Sequence, residues 1–184
     1  MRLFVSVDLP PDLADRVADV QALFEEASGL RFTDPEQAHV TMKFLGETPD
    51  HRLDEVEAAL ERAVADADLE PFGVTFGGLG VFPSLEYISV VWFGVTEGAA
   101  KFRRLQEPIE RAFVDLGFSP EDHEFTPHVT LARMEHAGGK DLVQRVVREE
   151  DPVVGTTTVE AVQLTESTLT EEGPVYETVT SVPL

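Results

Sequence analysis

Two copies of one short phrase carry most of the side chains that could do chemistry. The first is His39-Val40-Thr41-Met42-Lys43-Phe44 and the second is His128-Val129-Thr130-Leu131-Ala132-Arg133. An imidazole near pH 7 is poised between its neutral and cationic forms. Two of them on opposite walls of one cleft can share the work of displacement at phosphorus. The neutral ring takes a proton from the attacking water or hydroxyl, and the cationic ring gives one to the departing oxygen. Each Thr hydroxyl, two residues on, can donate to a non-bridging phosphate oxygen, and its β-branch limits the rotamers it samples. A strained cyclic phosphate carries its own leaving group, so this chemistry asks for no metal. One His-x-Thr alone says little, because most such pairs are structural. Two copies at matching positions of a repeated unit, in a chain with five His, point to a site.

A metal centre is the main rival for paired His. It would want a third ligand close by, and no acidic residue shares the His face within either phrase. His51, His123 and His136 lie beyond the phrases and are expected to face solvent.

Both phrases read as β-strands, rich in Val, Thr, Met, Leu and Phe with no internal Gly or Pro. Alternation puts His39 and Thr41 on one face and Val40, Met42 and Phe44 on the other. Lys43 shares the parity of His39. His128 and Thr130 stand against Val129 and Leu131. Arg133 has the opposite parity to His128 unless the strand bends after Thr130.

The remaining elements are arranged to hold these strands. Leu3, Val5, Val7 and Leu9 alternate with Phe4, Ser6 and Asp8 in an opening strand. Pro10-Pro11-Asp12 begins a helix whose apolar spacing runs to about Ala27. A second helix is expected from Arg52 to Ala65, and a strand over Phe72–Phe76. Gly77 to Ser84 reads as a turn-and-bulge connection, since no Gly-Lys-Ser/Thr follows to make it a phosphate loop. The pattern then restarts: a strand from Tyr87 to Val95, a helix from Glu97 to Leu116 with Pro108 inside, the second His-Val-Thr strand, a short helix from Lys140 to Arg148, and a strand from Thr156 to Thr165. A strand from Val175 to Val182 closes the chain. The expectation is one domain over 1–184, built from a repeat of roughly 1–76 and 87–165. Two copies of about 90 residues suggest two lobes with approximate two-fold symmetry, not a solenoid. Such symmetry would bring the two polar strand faces together across one cleft.

Composition sets the bounds. The 184 residues are 42% hydrophobic, enough for a sizeable core. There is no Cys, so disulfides and thiolate metal sites are excluded. No apolar run nears the roughly 20 residues a membrane helix needs, and the apolar part of the N-terminus is short for a signal peptide. A soluble, cytoplasmic monomer is the expectation. Acidic residues number 35 against 14 basic ones, a net charge of -21, and only Lys43, Lys101 and Lys140 are lysines. The acids are spread along the chain, so a disordered acidic tail is a poor reading.

Beyond the two phrases, the chain carries Arg2-Leu3-Phe4-Val5-Ser6-Val7-Asp8-Leu9-Pro10, Lys43-Phe44-Leu45-Gly46-Glu47, Gly78-Leu79-Gly80-Val81-Phe82-Pro83-Ser84 and Gly173-Pro174-Val175-Tyr176-Glu177. Together these resemble the 2H phosphoesterases, in particular the RNA 2′,3′-cyclic phosphodiesterase branch historically called 2′-5′ RNA ligases. The resemblance implies an α+β bilobal fold: two pseudo-symmetric lobes, each with an antiparallel-rich sheet and outer helices, around a central cleft. It implies metal-independent hydrolysis of RNA 2′,3′-cyclic phosphate ends to 2′-phosphomonoesters, with no cofactor. Joining or cleavage of 2′-5′ linkages would be the same chemistry with an RNA 5′-hydroxyl in place of water. By the same resemblance His39 is the proton donor to the leaving 3′ oxygen, His128 the base that activates water, and Thr41 and Thr130 the phosphate-holding hydroxyls. The residues alone leave the two His roles open. Arg133 is expected to contact phosphate or RNA. Phe4 could stack on a base or sit in the core, Lys43 could meet phosphate or be solvated, and Tyr176 is expected to be structural. The partner would be RNA with a cyclic phosphate end, or a small cyclic nucleotide. A non-catalytic binder of RNA ends on the same fold is the alternative, disfavoured because both His-Thr pairs are intact. An acidic protein that binds RNA should keep a local basic spot at the cleft mouth.

Self-repulsion at this net charge destabilises a compact state in dilute buffer, and about 1 M salt shortens the Debye length to roughly 3 Å. A salt-rich, halophile-like cytosol is therefore expected. The melting temperature should rise from dilute buffer to molar KCl in differential scanning calorimetry; a salt-independent value would remove the halophile reading.

Overall fold

The computed structural model describes all residues from Met1 to Leu184. The chain runs β1 (Arg2–Asp8), α1 (Ala14–Ala22), β2 (Leu30–Phe32), β3 (His39–Glu47), α2 (Leu53–Ala67), β4 (Phe72–Pro83), β5 (Ile88–Glu97), α3 (Ala99–Asp115), β6 (His128–Met134), α4 (Lys140–Glu149), β7 (Val153–Val159), β8 (Ala161–Thr170) and β9 (Gly173–Pro183). Short 3-10 turns lie at Pro11–Leu13, Pro35–Gln37 and Asp50–Arg52. All nine strands join one antiparallel sheet in the order β7-β4-β5-β6-β3-β1-β8-β9, with β2 added to β6. This is the α+β class expected. No helix is long and apolar enough to cross a membrane.

The helices interlock the two wings of the sheet. α1 follows β1 in sequence but packs against β6 and β7 in the other wing, and α3 follows β5 but packs against β3 and α2. α2 lies on β8 and β9, and α4 on β4. Val5, Val40, Met42, Val91, Phe93, Val129 and Leu131 are buried in the sheet, and Phe102, Leu105, Ile109 and Phe113 of α3 are buried with them in one core.

Both His-Val-Thr strands bend at the same place. Along β1, Ser6 faces Thr41 while its neighbour Val5 faces Lys43, so Met42 is an extra residue on β3. Along β5, Trp92 faces Thr130 while Val91 faces Ala132, so Leu131 is an extra residue on β6. A β-bulge of this kind reverses the facing of the side chains that follow it, on β3 as far as a second bulge at Leu45. Met42 and Lys43 are both buried, as are Leu131 and Ala132, whereas Phe44 is 63% exposed. Phe44 and Lys43 therefore exchange the faces that simple alternation assigns them, and Arg133 is turned outward. The second bulge is held by side chains of the first half of the chain. The Thr33 hydroxyl donates to the Thr130 carbonyl at 2.9 Å, and buried Gln21 Nε2 donates to the carbonyls of Leu131 at 3.1 Å and Thr33 at 2.8 Å. Carbonyls disturbed in the ladder thus keep partners.

Lys43 is accordingly not a substrate contact. Its ammonium is sealed behind β3, 2.8 Å from Glu110 of α3 and 3.8 Å from Glu121, and it donates to the Ser119 carbonyl at 2.6 Å. It fastens β3 to α3 and to the segment that leads into β6.

Three element boundaries differ from the sequence pattern. The first helix stops at Ala22, because Leu23, Phe24 and Glu25 donate to carbonyls three residues back instead of four. Three- and four-residue apolar spacing cannot distinguish that tightened turn from continuing helix. The strand expected over Thr156–Thr165 is two strands broken at Glu160, β7 pairing with β4 and β8 with β1 at far-apart places in the sheet. The glycine-rich stretch lies inside β4, whose register to β5 shifts between Gly77 and Gly80. There the Trp92 indole lies flat on Gly80, and a Cβ at position 80 would stand 2.2 Å from the ring.

Two outcomes are expected from these contacts. Lys43→Ala empties a buried site and takes the cation from the partly buried Glu110, and should lower unfolding free energy by about 3 kcal/mol in chemical denaturation. Gly80→Ala should push the indole from its seat; Trp92 is the only tryptophan, so its emission maximum reports the shift directly. An unchanged spectrum would mean that the ring does not rest there.

Candidate active site

β3 and β6 meet at a single pair, Val40 opposite Val129, before they part. Both valines are buried. Their antiparallel register sets His39 beside Thr130 and Thr41 beside His128, with all four side chains turned to the open face. The four are half-buried. Past the junction β2 takes up the edge of β6, with Arg31 opposite Arg133. The two phrases thus form a two-fold arrangement of imidazole and hydroxyl, and the structure brings together all four residues that the sequence singled out.

Each ring is oriented by a backbone carbonyl two residues before it. His39 Nδ1 lies 2.9 Å from the Gln37 carbonyl, and His128 Nδ1 lies 2.6 Å from that of Thr126. A carbonyl only accepts, so each Nδ1 carries a proton and each Nε2 is left for chemistry. His39 Nε2 is 3.1 Å from Thr41 Oγ1, whose hydroxyl donates when the ring is neutral. Gln37 has a second part to play. Its side-chain Nε2 donates to the Pro174 carbonyl at 3.0 Å, and its Oε1 accepts from the Tyr176 N–H at 2.9 Å. One residue therefore holds both the ring of His39 and the strand that packs on it.

Each imidazole sits in a pair of aromatic rings. Tyr176 meets His39 edge-on at 5.2 Å and 88°, and Phe4 lies 5.0 Å away at 36°. Phe82 meets His128 edge-on at 4.9 Å and 86°, and Trp92 lies 5.7 Å away at 54°. β4 and β5 on one side, and β1 and β9 on the other, supply these walls. Phe4 is only 4% exposed, so it backs His39 instead of offering a free face for a base.

Burial is the largest influence on both rings and lowers both pKa values below the ordinary 6.5. Smaller influences differ between them. The Gln37 carbonyl and the Asp8 carboxylate favour the cation on His39, against Arg133. On His128 the Thr126 carbonyl favours the cation, but His39, Arg133 and His123 all oppose it, and no carboxylate helps. Tyr176 is pushed up by burial, with Arg133 and Arg2 opposing. Arg133 is exposed, and its charge reaches both imidazoles and Tyr176.

Of the other predicted positions, Lys43 lies outside the site. His51, His123 and His136 are exposed, and nowhere in the chain do three His, Asp or Glu converge as metal ligands would. Tyr176, expected to be structural, packs on His39, and the sequence pattern gives no sign of the parts that Phe82, Trp92 and Gln37 play, or of the exposed Phe44 beside Phe4. Phe82 and Tyr176 fall within recognisable stretches of sequence, but only pairing across the sheet sets them against the imidazoles.

Known proteins share the sequence and the fold of this chain. The family model described as the 2′-5′ RNA ligase superfamily matches residues 9–171. A Methanothermobacter thermautotrophicus protein named RNA 2′,3′-cyclic phosphodiesterase is 35% identical, over 96% of this chain and 95% of its own. An Aeropyrum pernix protein of the same name is 37% identical, over 83% of this chain and 85% of its own. The crystal structure of a Thermus thermophilus protein superposes with a TM-score of 0.82 at 30% identity, covering 100% of this chain and 98% of that one. In fold alone, E. coli LigT in complex with 3′-AMP is similar, with a TM-score of 0.82 at 21% identity and coverage of 100% of this chain and 97% of its own. With its matched segment spanning most of the sequence, the chain belongs to the 2′-5′ RNA ligase superfamily of 2H phosphoesterases.

Proposed function

We propose that this protein hydrolyses RNA 2′,3′-cyclic phosphate ends to 2′-phosphomonoesters without a metal, His39 acting as acid and His128 as base. The observation that carries the proposal is the pair of His-Val-Thr phrases on adjoining strands, each with Nδ1 engaged by a carbonyl, so that Nε2, which on His39 meets only the Thr41 hydroxyl, is turned to the reaction. In this reading a water oxygen attacks phosphorus and its proton passes to His128 Nε2. The bond from phosphorus to the 3′ oxygen breaks, and His39 Nε2–H protonates that oxygen. Thr41, Thr130 and Arg133 hold the non-bridging oxygens as negative charge builds on them. Before the next turnover, His128 returns its proton to solvent and His39 regains one. An RNA 5′-hydroxyl in place of water would form a 2′-5′ linkage by the same steps.

The division of roles has electrostatic support. After burial, the influences on His39 include a carboxylate that favours its cation, whereas the charges acting on His128 all disfavour one. These smaller influences favour His39 as donor and His128 as acceptor, while burial, the largest influence, disfavours the cation on both. Burial keeps both rings neutral in the empty site near pH 7; the negative charge of bound phosphate favours the imidazolium and raises both pKa values. The reacting groups come from one chain, so a cytoplasmic monomer, with 1–184 as a single two-lobed domain, is proposed as the working unit.

Activity of the wild type and of His39→Ala and His128→Ala is measured on a short RNA with a 2′,3′-cyclic end. Each substitution should lower turnover by about 10² to 10⁴-fold while the protein melts normally, the product should be the 2′-phosphate, and EDTA should change nothing. Full turnover in both variants would refute the assignment, and binding without turnover in the wild type would make the protein a binder. In the free enzyme both rings titrate below 6.5, so the optimum of kcat/KM should lie on the acid side of that value. The optimum of kcat should lie higher, because bound phosphate is then present.

A further inference from the structure

Arg31 and Arg133 stand directly opposite each other on β2 and β6. Residues so placed point to the same face, with Cβ atoms about 5 Å apart, and like charges there repel. In a chain with 14 basic residues against 35 acidic ones, carboxylates to separate two arginines are plentiful. The carboxylate paired with Arg31 is that of Glu135, at 3.6 Å from Nη1, and both side chains are more than half exposed. Such a pair contributes little. An anion seated over the two guanidiniums would be drawn to both.

The two arginines are not equivalent. The charge of Arg133 acts on His39, His128 and Tyr176, whereas that of Arg31 acts on none of them. β2 joins β6 beyond the Val40–Val129 junction, so Arg31 stands one strand away from Arg133 on the same face. Its guanidinium reaches towards the start of β9, where a Cβ placed on Gly173 would be 3.5 Å from Nη2. It thus stands at the rim of the cleft beside the strand that carries Tyr176.

We propose that Arg31 binds the phosphodiester immediately 5′ of the terminal cyclic nucleotide, so that the preferred substrate is an RNA chain and not a cyclic mononucleotide. This rests on the activity proposed above. Arg133 holds the reacting phosphate, and Arg31 holds the next one along the strand. Planar guanidinium donors suit a phosphodiester's two free oxygens. On a surface this acidic, two adjacent arginines on one face supply a localised attraction for the RNA backbone.

The test compares three substrates: 2′,3′-cyclic AMP, a trinucleotide with a 2′,3′-cyclic end, and the same trinucleotide with its penultimate linkage made a neutral methylphosphonate. Wild type should favour the charged trinucleotide over cyclic AMP. Arg31→Ala should lower kcat/KM on that trinucleotide about tenfold, leave cyclic AMP nearly unchanged, and lose nothing further on the methylphosphonate. Arg31→Lys should recover part of the loss. An equal fall on cyclic AMP and trinucleotide would overturn the proposal, as would a methylphosphonate penalty of the same size in variant and wild type. A wild type that hydrolyses cyclic AMP but gains nothing from the added chain would refute the inference and leave the activity standing. A wild type inactive on all three would refute the activity itself.

Discussion

The structure depends on one short contact between two strands. β3 and β6 pair only at Val40 and Val129, and each bulges just beyond its Thr. The buried valines join the two wings through the core, and the alternation of a strand then turns the neighbouring His and Thr of both phrases to the open side. A longer ladder would close the gap with cross-strand pairs, and a weaker junction would let the rings drift apart. The bulges let the strands diverge and set the facing of the residues after each Thr. On one strand a lysine turns to the core and an aromatic ring turns out; on the other an alanine turns in and an arginine out. Gln21 and Thr33, from the first half of the chain, secure the bulge of the second, so the second phrase is not positioned by its own half alone.

Around that junction the electrostatics are set by exclusion of water. The aromatic walls and the core behind them disfavour charge on both imidazoles, while the carbonyls of Gln37 and Thr126 fix which nitrogen is protonated. Both imidazoles are thereby held towards their neutral form when the site is empty, and an anionic ligand favours their cations. That arrangement suits an anionic ligand and discourages idle protonation. It also explains why a protein of net charge -21 can accept a phosphate: the field that matters is the local one, in which Arg133 lies close and the acidic surface is screened by solvent and salt.

The interlocked helices carry the same logic into the rest of the fold. With α1 laid on β6 and β7, and α3 on β3, each half of the chain covers part of the core beneath the other half's phrase. Lys43 adds a polar rivet between β3, α3 and the approach to β6. Loosening one half should therefore disturb the geometry of the other.

The amino-acid pattern alone determined the doubled phrase, its strand character, the α+β class and the four polar residues at the centre, because those depend on local preference and on alternation within five or six residues. The strand at 156–165 and the end of the first helix were misjudged where one local pattern suits two conformations. Only the tertiary structure decided the rest. Lys43 and Arg133 differ in destination from what parity alone gives, because a bulge depends on register with a partner strand. Tyr176 enters the site, and the Gln37 side chain ties its strand there, through contacts spanning more than a hundred residues of chain, and Phe82 meets His128 only because β4, β5 and β6 lie side by side. A side chain's chemistry is written in its own letter, but its neighbours across a sheet are set by how the whole chain packs.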